Sequence, residues 1–91
     1  MKWGILSTGT IAKNFAQTAK QMPDVQVQAV ASRSAGSAKA FAETFAIPTA
    51  HDSYEALAND PNVDIVYVAT PHSRHYEDMK LLIGAGKHVL C

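Results

Sequence analysis

A small polar turn follows the first apolar run of the chain and carries the residues best suited to bind an anion. It consists of Ser7, Thr8, Gly9, Thr10, Ile11 and Ala12. Against the dinucleotide fingerprint G-x-G-x-x-G/A, Gly9 takes the second position, where the backbone approaches a pyrophosphate, and Ala12 takes the third. Ser7 replaces the first glycine, so this position either tolerates a Cβ or has an altered turn. The pattern predicts a pyrophosphate-binding loop, and the alternative is an ordinary strand-to-helix turn.

The end of the second predicted strand, "ASRSAGS", is the next candidate site. NAD-binding domains place an acid there for the ribose hydroxyls, but this segment has Ser32, Arg33 and Ser34 instead. A guanidinium with neighbouring hydroxyls suits a 2′-phosphate. The segment therefore favours NADP over NAD as the cofactor, and the alternative is that Arg33 is a solvated loop residue.

A third polar cluster, "TPHSRHYE" at residues 70–77, follows the most apolar strand of the chain. Pro71 restricts the backbone as it leaves this strand. His72, Ser73 and His75 lie at or near the start of the next helix, at the sheet edge where ligands bind. The alternative is that they are polar helix-start residues in solvent. No third ligand accompanies the two histidines, so we predict no metal site.

Hydrophobic periodicity shows which elements must position these residues. Helices are predicted over residues 10–22, 37–46, 52–58 and 76–83, and strands over residues 2–8, 25–32, 63–70 and from 88, with a minimal strand within 47–52. Asp52 and Glu55 have the spacing of a capping box, and Gly84 and Gly86 suit a helix C-terminus. Alternating strands and helices predict an α/β fold with a doubly wound parallel sheet (Rossmann) in the order 3-2-1-4-5, ending before a sixth strand.

Composition limits the class of protein and its partners. The chain has 91 residues, of which 47% are apolar and 18% charged, and its eight basic and eight acidic residues balance. This predicts one globular domain, with neither nucleic acid nor a membrane as partner. Cys91 is the single cysteine, so no internal disulfide can form. No apolar stretch approaches the ~20 residues of a membrane helix, and we expect a cytoplasmic protein.

Four collinear segments carry a family resemblance. They are "KWGILSTGTIA", "VQAVASRS", "YEALANDPNVDIVYVATP" and "AGKHVLC". Together they resemble the N-terminal part of the glucose–fructose oxidoreductase / inositol dehydrogenase family (Gfo/Idh/MocA). The details "WGILSTG", "SR" and "GKHVLC" are most similar to its dihydrodiol dehydrogenase / NADP-dependent D-xylose dehydrogenase branch.

The resemblance implies a Rossmann domain followed by a substrate domain, and a hydride transfer between a nicotinamide cofactor and a sugar, polyol or dihydrodiol. It implies that residues 7–12 hold the pyrophosphate, that Ser32 and Arg33 hold the ribose phosphate, and that Thr70 and Pro71 line the path to the nicotinamide. His75 matches a histidine of the family, whereas His72 stands where the family often has asparagine, so its contact stays open.

The resemblance also implies that the catalytic lysine belongs to a Glu-Lys-Pro motif that follows "GKHVLC" in the family. We therefore expect residues 1–91 to be a partial dinucleotide-binding domain without catalytic residues, an inactive fragment of an NAD(P)-dependent oxidoreductase. The alternative is a stand-alone nucleotide-binding or sensing module. The strand "HVLC" predicts an open apolar sheet edge, through which we expect a homo-oligomer to form.

Overall fold

A computed structural model describes residues 2–70 and 75–90. In chain order the elements are β1 (Lys2–Leu6), α1 (Thr10–Lys20), β2 (Gln26–Ala31), α2 (Ala35–Phe45), β3 (Thr49–His51), α3 (Tyr54–Ala58), β4 (Ile65–Val68), α4 (His75–Gly84) and β5 (His88–Leu90). The alternation of strands and helices agrees with the prediction. Among the described residues, no helix has the length and apolar character needed to cross a membrane.

The strands form one parallel sheet in the order β3-β2-β1-β4-β5, which confirms the predicted topology. Ile5 of the central strand β1 pairs with Val30 of β2 on one side and with Tyr67 of β4 on the other. The chain runs outward from β1 through β2 to β3, and then returns to the opposite side of β1 with β4. In doubly wound sheets such a reversal leaves a crevice at the carboxyl ends of the two diverging strands, here β1 and β4, and ligands bind there.

Helices cover both faces of the sheet, and adjacent residues of β1 point to opposite cores. Ile5 is fully buried in the core formed with α1 and α2. Leu6 is fully buried in the second core, which includes Leu57 of α3 and Leu82 of α4. A Cβ at Gly4 would lie 3.0 Å from the Leu57 side chain, so glycine allows α3 to pack closely on β1.

Aromatic stacking fixes α1 over the central strands. The ring of Phe15 on α1 stacks on Tyr67 of β4 with a centroid distance of 4.2 Å, and its centroid lies 5.4 Å from that of Trp3 on β1. Alanines 12, 16 and 19 of the same helix are buried and keep its backbone near the sheet. The start of α1 is therefore held at the crevice between β1 and β4.

Helix ends show one confirmed and one wrong expectation. Gly86 has a φ of +83°, and its N–H donates to Ile83 while that of Lys87 donates to Leu82, a Schellman motif that confirms the predicted glycine cap of α4. The capping box at Asp52 is wrong, because the α3 cap is Ser53, whose Oγ accepts from the Ala56 N–H at 3.1 Å. The N-cap of α3 is therefore one residue later in the chain than predicted.

Candidate nucleotide-binding site

Ser7 begins the turn that leaves β1 and has a φ of +95°. Its N–H donates to the carbonyl of Ala31 at the end of β2, at 2.8 Å. Glycine adopts such a positive φ without strain, whereas a residue with a Cβ is strained there. The turn thus keeps the conformation expected of the first fingerprint glycine, although a serine occupies the position.

Gly9 is the N-cap of α1 and has an extended backbone with a φ of −76°. A Cβ built on Gly9 would meet nothing within 4 Å, so neither packing nor backbone strain requires glycine at this position. The open space at Gly9 is the space that a ligand approaching the backbone needs.

The N-terminus of α1 is suited to an anion. The helix has no side-chain cap and no acidic residue in its first turn. Its first helical hydrogen bond runs from the Lys13 N–H to the Gly9 carbonyl, which leaves the N–H groups of residues 10–12 without helical acceptors. These groups and the helix dipole favour the binding of a negative charge at the start of α1. The start of α3 differs, because a serine side chain caps it and Glu55 already places a negative charge in its first turn.

Some side chains around this turn are buried against the sheet, and others are exposed to solvent. Ala12 is fully buried, as the third fingerprint position requires for helix–sheet packing, while Ile11 is 58% exposed. Thr8 and Lys13 line a groove of about 440 Å³ between α1 and α2. Sequence reasoning missed Lys13, a cation that follows Gly9 by one helical turn and lines this groove.

The segment after β2 contains one ordered serine and one free cation. Ser32 is buried, its N–H donates to the His51 carbonyl at 3.2 Å, and its Oγ accepts from the Ser34 N–H at 3.2 Å. Ser34 is the N-cap of α2 but makes no side-chain cap. Arg33 is exposed and forms no ion pair with any residue in ranges 2–70 and 75–90. Its guanidinium is therefore available for a phosphate.

Thr70 lies at the opposite wall of the crevice, directly after β4. The neighbouring Ala69 N–H donates to the Leu6 carbonyl at 3.1 Å, so Thr70 is close to the start of the first turn. Thr70 is buried, and its hydroxyl donates to Oδ2 of the buried Asp78 on α4 at 2.5 Å. Sequence reasoning missed Asp78, although an acid four residues before Leu82, on the stripe that faces the sheet, was an available signal.

The remaining predicted site residues are not described. Pro71, His72 and Ser73 lie outside the described residues, and for His75 the structure describes only the backbone, as the first residue of α4. Within the described part of the chain, no group of three His, Cys, Asp or Glu side chains could hold a metal ion.

Comparisons with known proteins agree with this geometry. A model of an oxidoreductase family with an NAD-binding Rossmann fold (Gfo/Idh/MocA) matches residues 1–91. The whole chain is 46% identical over 93 residues to trans-1,2-dihydrobenzene-1,2-diol dehydrogenase of Mus musculus, and it spans 28% of that relative's length.

Two solved structures have the same fold. A 3-ketoreductase from Actinomadura kijaniata, in complex with TDP-benzene and NADP, gives a TM-score of 0.93 at 34% identity over 99% of this chain and 28% of that one. A biliverdin reductase from Synechocystis, in complex with biliverdin and NADP+, gives 0.83 at 32% identity over 97% of this chain and 28% of that one.

Proposed function

Because the chain belongs to the Gfo/Idh/MocA oxidoreductase family, which has an NAD-binding Rossmann fold, we propose that it is the NADP-binding part of a hydride-transferring enzyme. In this proposal residues 1–91 form a partial dinucleotide-binding domain, and a substrate domain lies outside them. The chain spans 28% of the curated relative from Mus musculus, which is consistent with that division.

The observation that carries the proposal is the turn from β1 into α1. Gly9 is free of packing and strain requirements, and the first N–H groups of α1 lack side-chain caps and acidic neighbours. Residues 7–12 would therefore hold the pyrophosphate through backbone N–H groups, with the hydroxyls of Ser7, Thr8 and Thr10 as further donors. When bound, the nicotinamide supplies the hydride acceptor or donor.

Arg33 supports NADP rather than NAD. Its exposed guanidinium follows β2 without an ionic partner among the described residues, and the segment from Ala31 to Ser37 contains no acid to bind a ribose 2′-hydroxyl. Ser32 and Ser34 add hydroxyls beside it. The ketoreductase and biliverdin reductase structures both contain NADP, which agrees with this preference.

The proposed substrate of the whole enzyme is a secondary alcohol or the matching ketone, in a sugar, polyol or dihydrodiol. The support is the named activity of the relatives, a dihydrodiol dehydrogenase and a 3-ketoreductase. On the side of the nicotinamide, the proposal includes Thr70 and, from the resemblance, Pro71, His72 and His75.

Calorimetry of the purified chain with NADP+, NAD+ and ATP tests the proposal. We expect NADP+ to bind more tightly than NAD+, and we expect Arg33→Ala to weaken NADP+ binding by about tenfold, the effect of losing one charge-assisted hydrogen-bonding group. NAD+ binding should change little. The matched control Lys80→Ala removes one positive charge from an exposed position on α4 and should leave both affinities in place.

Equal affinity for NADP+ and NAD+, or an unchanged preference in Arg33→Ala, would contradict the role of Arg33. We also expect the 91-residue chain to reduce no NADP+ with sugars or dihydrodiols, since the implied catalytic lysine is not among its residues. Clear turnover would contradict the assignment as a cofactor-binding fragment. A conformational change driven by ATP, without nicotinamide binding, would favour the stand-alone sensing module.

A further inference from the structure

A buried hydrogen bond joins the end of β4 to the first turn of α4. Thr70 is 3% exposed and Asp78 is 2% exposed, and the Thr70 hydroxyl donates to Asp78 Oδ2 at 2.5 Å. A buried carboxylate is unfavourable unless it is hydrogen-bonded, so the position of the Asp78 oxygen constrains the side chain of Thr70. Asp78 also lies in the first helical turn of α4, where the helix dipole favours a negative group.

This bond lies at the crevice rather than in either apolar core. Ala69 donates to the Leu6 carbonyl at 3.1 Å, which places the next residue, Thr70, at the carboxyl ends of β1 and β4, where the strand order reverses. The position of Asp78 is fixed by the packing of its helix, since Leu82, one turn further along α4, is fully buried in the core under β4. The carboxylate therefore couples the packed body of α4 to the wall of the crevice.

We propose that Asp78 is a positioning residue for the nicotinamide half of the cofactor and acts through Thr70. The proposal rests on the function proposed above, because only a bound dinucleotide crosses the crevice from Ser7 to Thr70. By accepting a hydrogen bond from the Thr70 hydroxyl, Asp78 sets the rotamer of the Thr70 side chain. The adenosine half binds near Arg33, beyond β2, and does not depend on this bond.

Binding of two ligands distinguishes a positioning role of Asp78 from a general effect on the stability of the fold. NADP+ contains both halves of the dinucleotide, whereas 2′,5′-ADP contains the adenosine half alone. We expect Asp78→Ala to weaken NADP+ binding by about tenfold, the effect of losing a hydrogen bond to a charged group, with less than about a twofold change for 2′,5′-ADP. Asp78→Asn retains a side-chain oxygen that can accept the Thr70 hydroxyl, and it should recover most of the NADP+ affinity.

Thr70→Val provides a second route if Asp78→Ala does not fold, because valine has nearly the shape of threonine but has no hydroxyl. It should lower the ratio of NADP+ to 2′,5′-ADP affinity as Asp78→Ala does. In the Thr70→Val background, Asp78→Ala should leave this ratio unchanged, since the bond between the two side chains is already absent.

The outcomes are distinguishable from a failure of the proposed function. A wild-type chain that binds neither NADP+ nor 2′,5′-ADP would overturn the proposed function and this inference with it. A wild-type chain that binds both, with variants that change both affinities equally or neither, would overturn the positioning role of Asp78 alone. Circular dichroism of each variant confirms that only folded protein enters the comparison.

Discussion

Ser7 shows at the residue scale how a fingerprint position can retain its geometry after losing its glycine. Its φ is +95°, and its N–H donates to the carbonyl of Ala31. The strain of a non-glycine residue in this conformation costs about 1–3 kcal/mol, and a glycine would relieve it. A glycine would also lose more chain entropy on folding, which costs about 0.5–1 kcal/mol. We therefore expect Ser7→Gly to raise the free energy of unfolding by about 1 kcal/mol in urea titrations. A lower stability in this variant would show that the Ser7 side chain stabilises the turn.

Gly9 provides the opposite case, a glycine that the fold does not require. A Cβ at this position meets nothing within 4 Å and the φ of −76° suits any residue, so Gly9→Ala should unfold at nearly the wild-type urea concentration. The same Cβ would stand where the pyrophosphate approaches, and we expect the affinity for NADP+ to fall by at least about tenfold. Gly84→Ala, also in open space, is the control and should retain wild-type affinity. Unchanged binding in Gly9→Ala would place the pyrophosphate elsewhere.

At the scale of elements, the His51–Asp60 pair ties the end of β3 to the turn before β4. His51 Nε2 and Asp60 Oδ2 are 2.8 Å apart, and the Asn62 N–H donates to Asp60 Oδ1 at 2.9 Å. Burial raises the pKa of Asp60, but the hydrogen bonds from His51 and Asn62 and the electrostatic attraction of His51 and Lys87 together outweigh burial and hold the pKa below its ordinary value of 3.8. The ionised carboxylate therefore stabilises the fold at neutral pH.

Acid should remove this contribution. Because the pKa of Asp60 is lower in the folded chain than in the unfolded chain, its stabilisation is complete well above pH 3.8 and disappears as the pH falls through the folded value. We expect Asp60→Asn to lose about 1 kcal/mol of stability at neutral pH and to show a smaller acid-dependent loss than wild type in urea unfolding. Asp52→Asn removes an exposed carboxylate and should follow the wild-type curve. An Asp60→Asn curve parallel to that of wild type would contradict this role.

The same elements show what the sequence can predict. Period-2 and helical patterns were sufficient for the strand order and the two-sided core, because they depend on many residues at once. The α3 cap was misplaced by one residue, since Asp52 and Ser53 are both good caps and only the backbone conformation decides between them. The Thr70–Asp78 bond was not predicted, because it joins residues eight apart whose approach depends on how α4 packs.

For the candidate site, the sequence predicts ligand-binding roles for the turn at Gly9 and for Arg33, because each follows directly after a strand end. It could not predict that Ser7 keeps a positive φ, because residues with a Cβ rarely adopt that conformation. It also could not separate the roles of Ser32 and Arg33. In the structure the Ser32 side chain orders the turn, whereas Arg33 is exposed.

At the scale of the whole molecule, the sheet has two edges with different chemistry. The β3 edge, Thr49–His51, follows Pro48 and carries the exposed but small Ala50. The β5 edge, His88–Leu90, presents Leu90 with 44% of its surface exposed. Unpaired strand edges bind other strands unless charge, proline or a bulge prevents it, so the β5 edge is the better site for a second copy of the chain.

We therefore expect the wild-type chain to self-associate with increasing concentration in sedimentation and small-angle scattering. Leu90→Lys places a charge on the β5 edge, which disfavours strand pairing, and should shift the chain towards the monomer. Ala50→Lys introduces the same charge on the β3 edge and should leave the association as in wild type. A strictly monomeric wild-type profile at high concentration would contradict self-pairing, and an equal effect of both lysines would show that net charge, rather than the β5 edge, controls association.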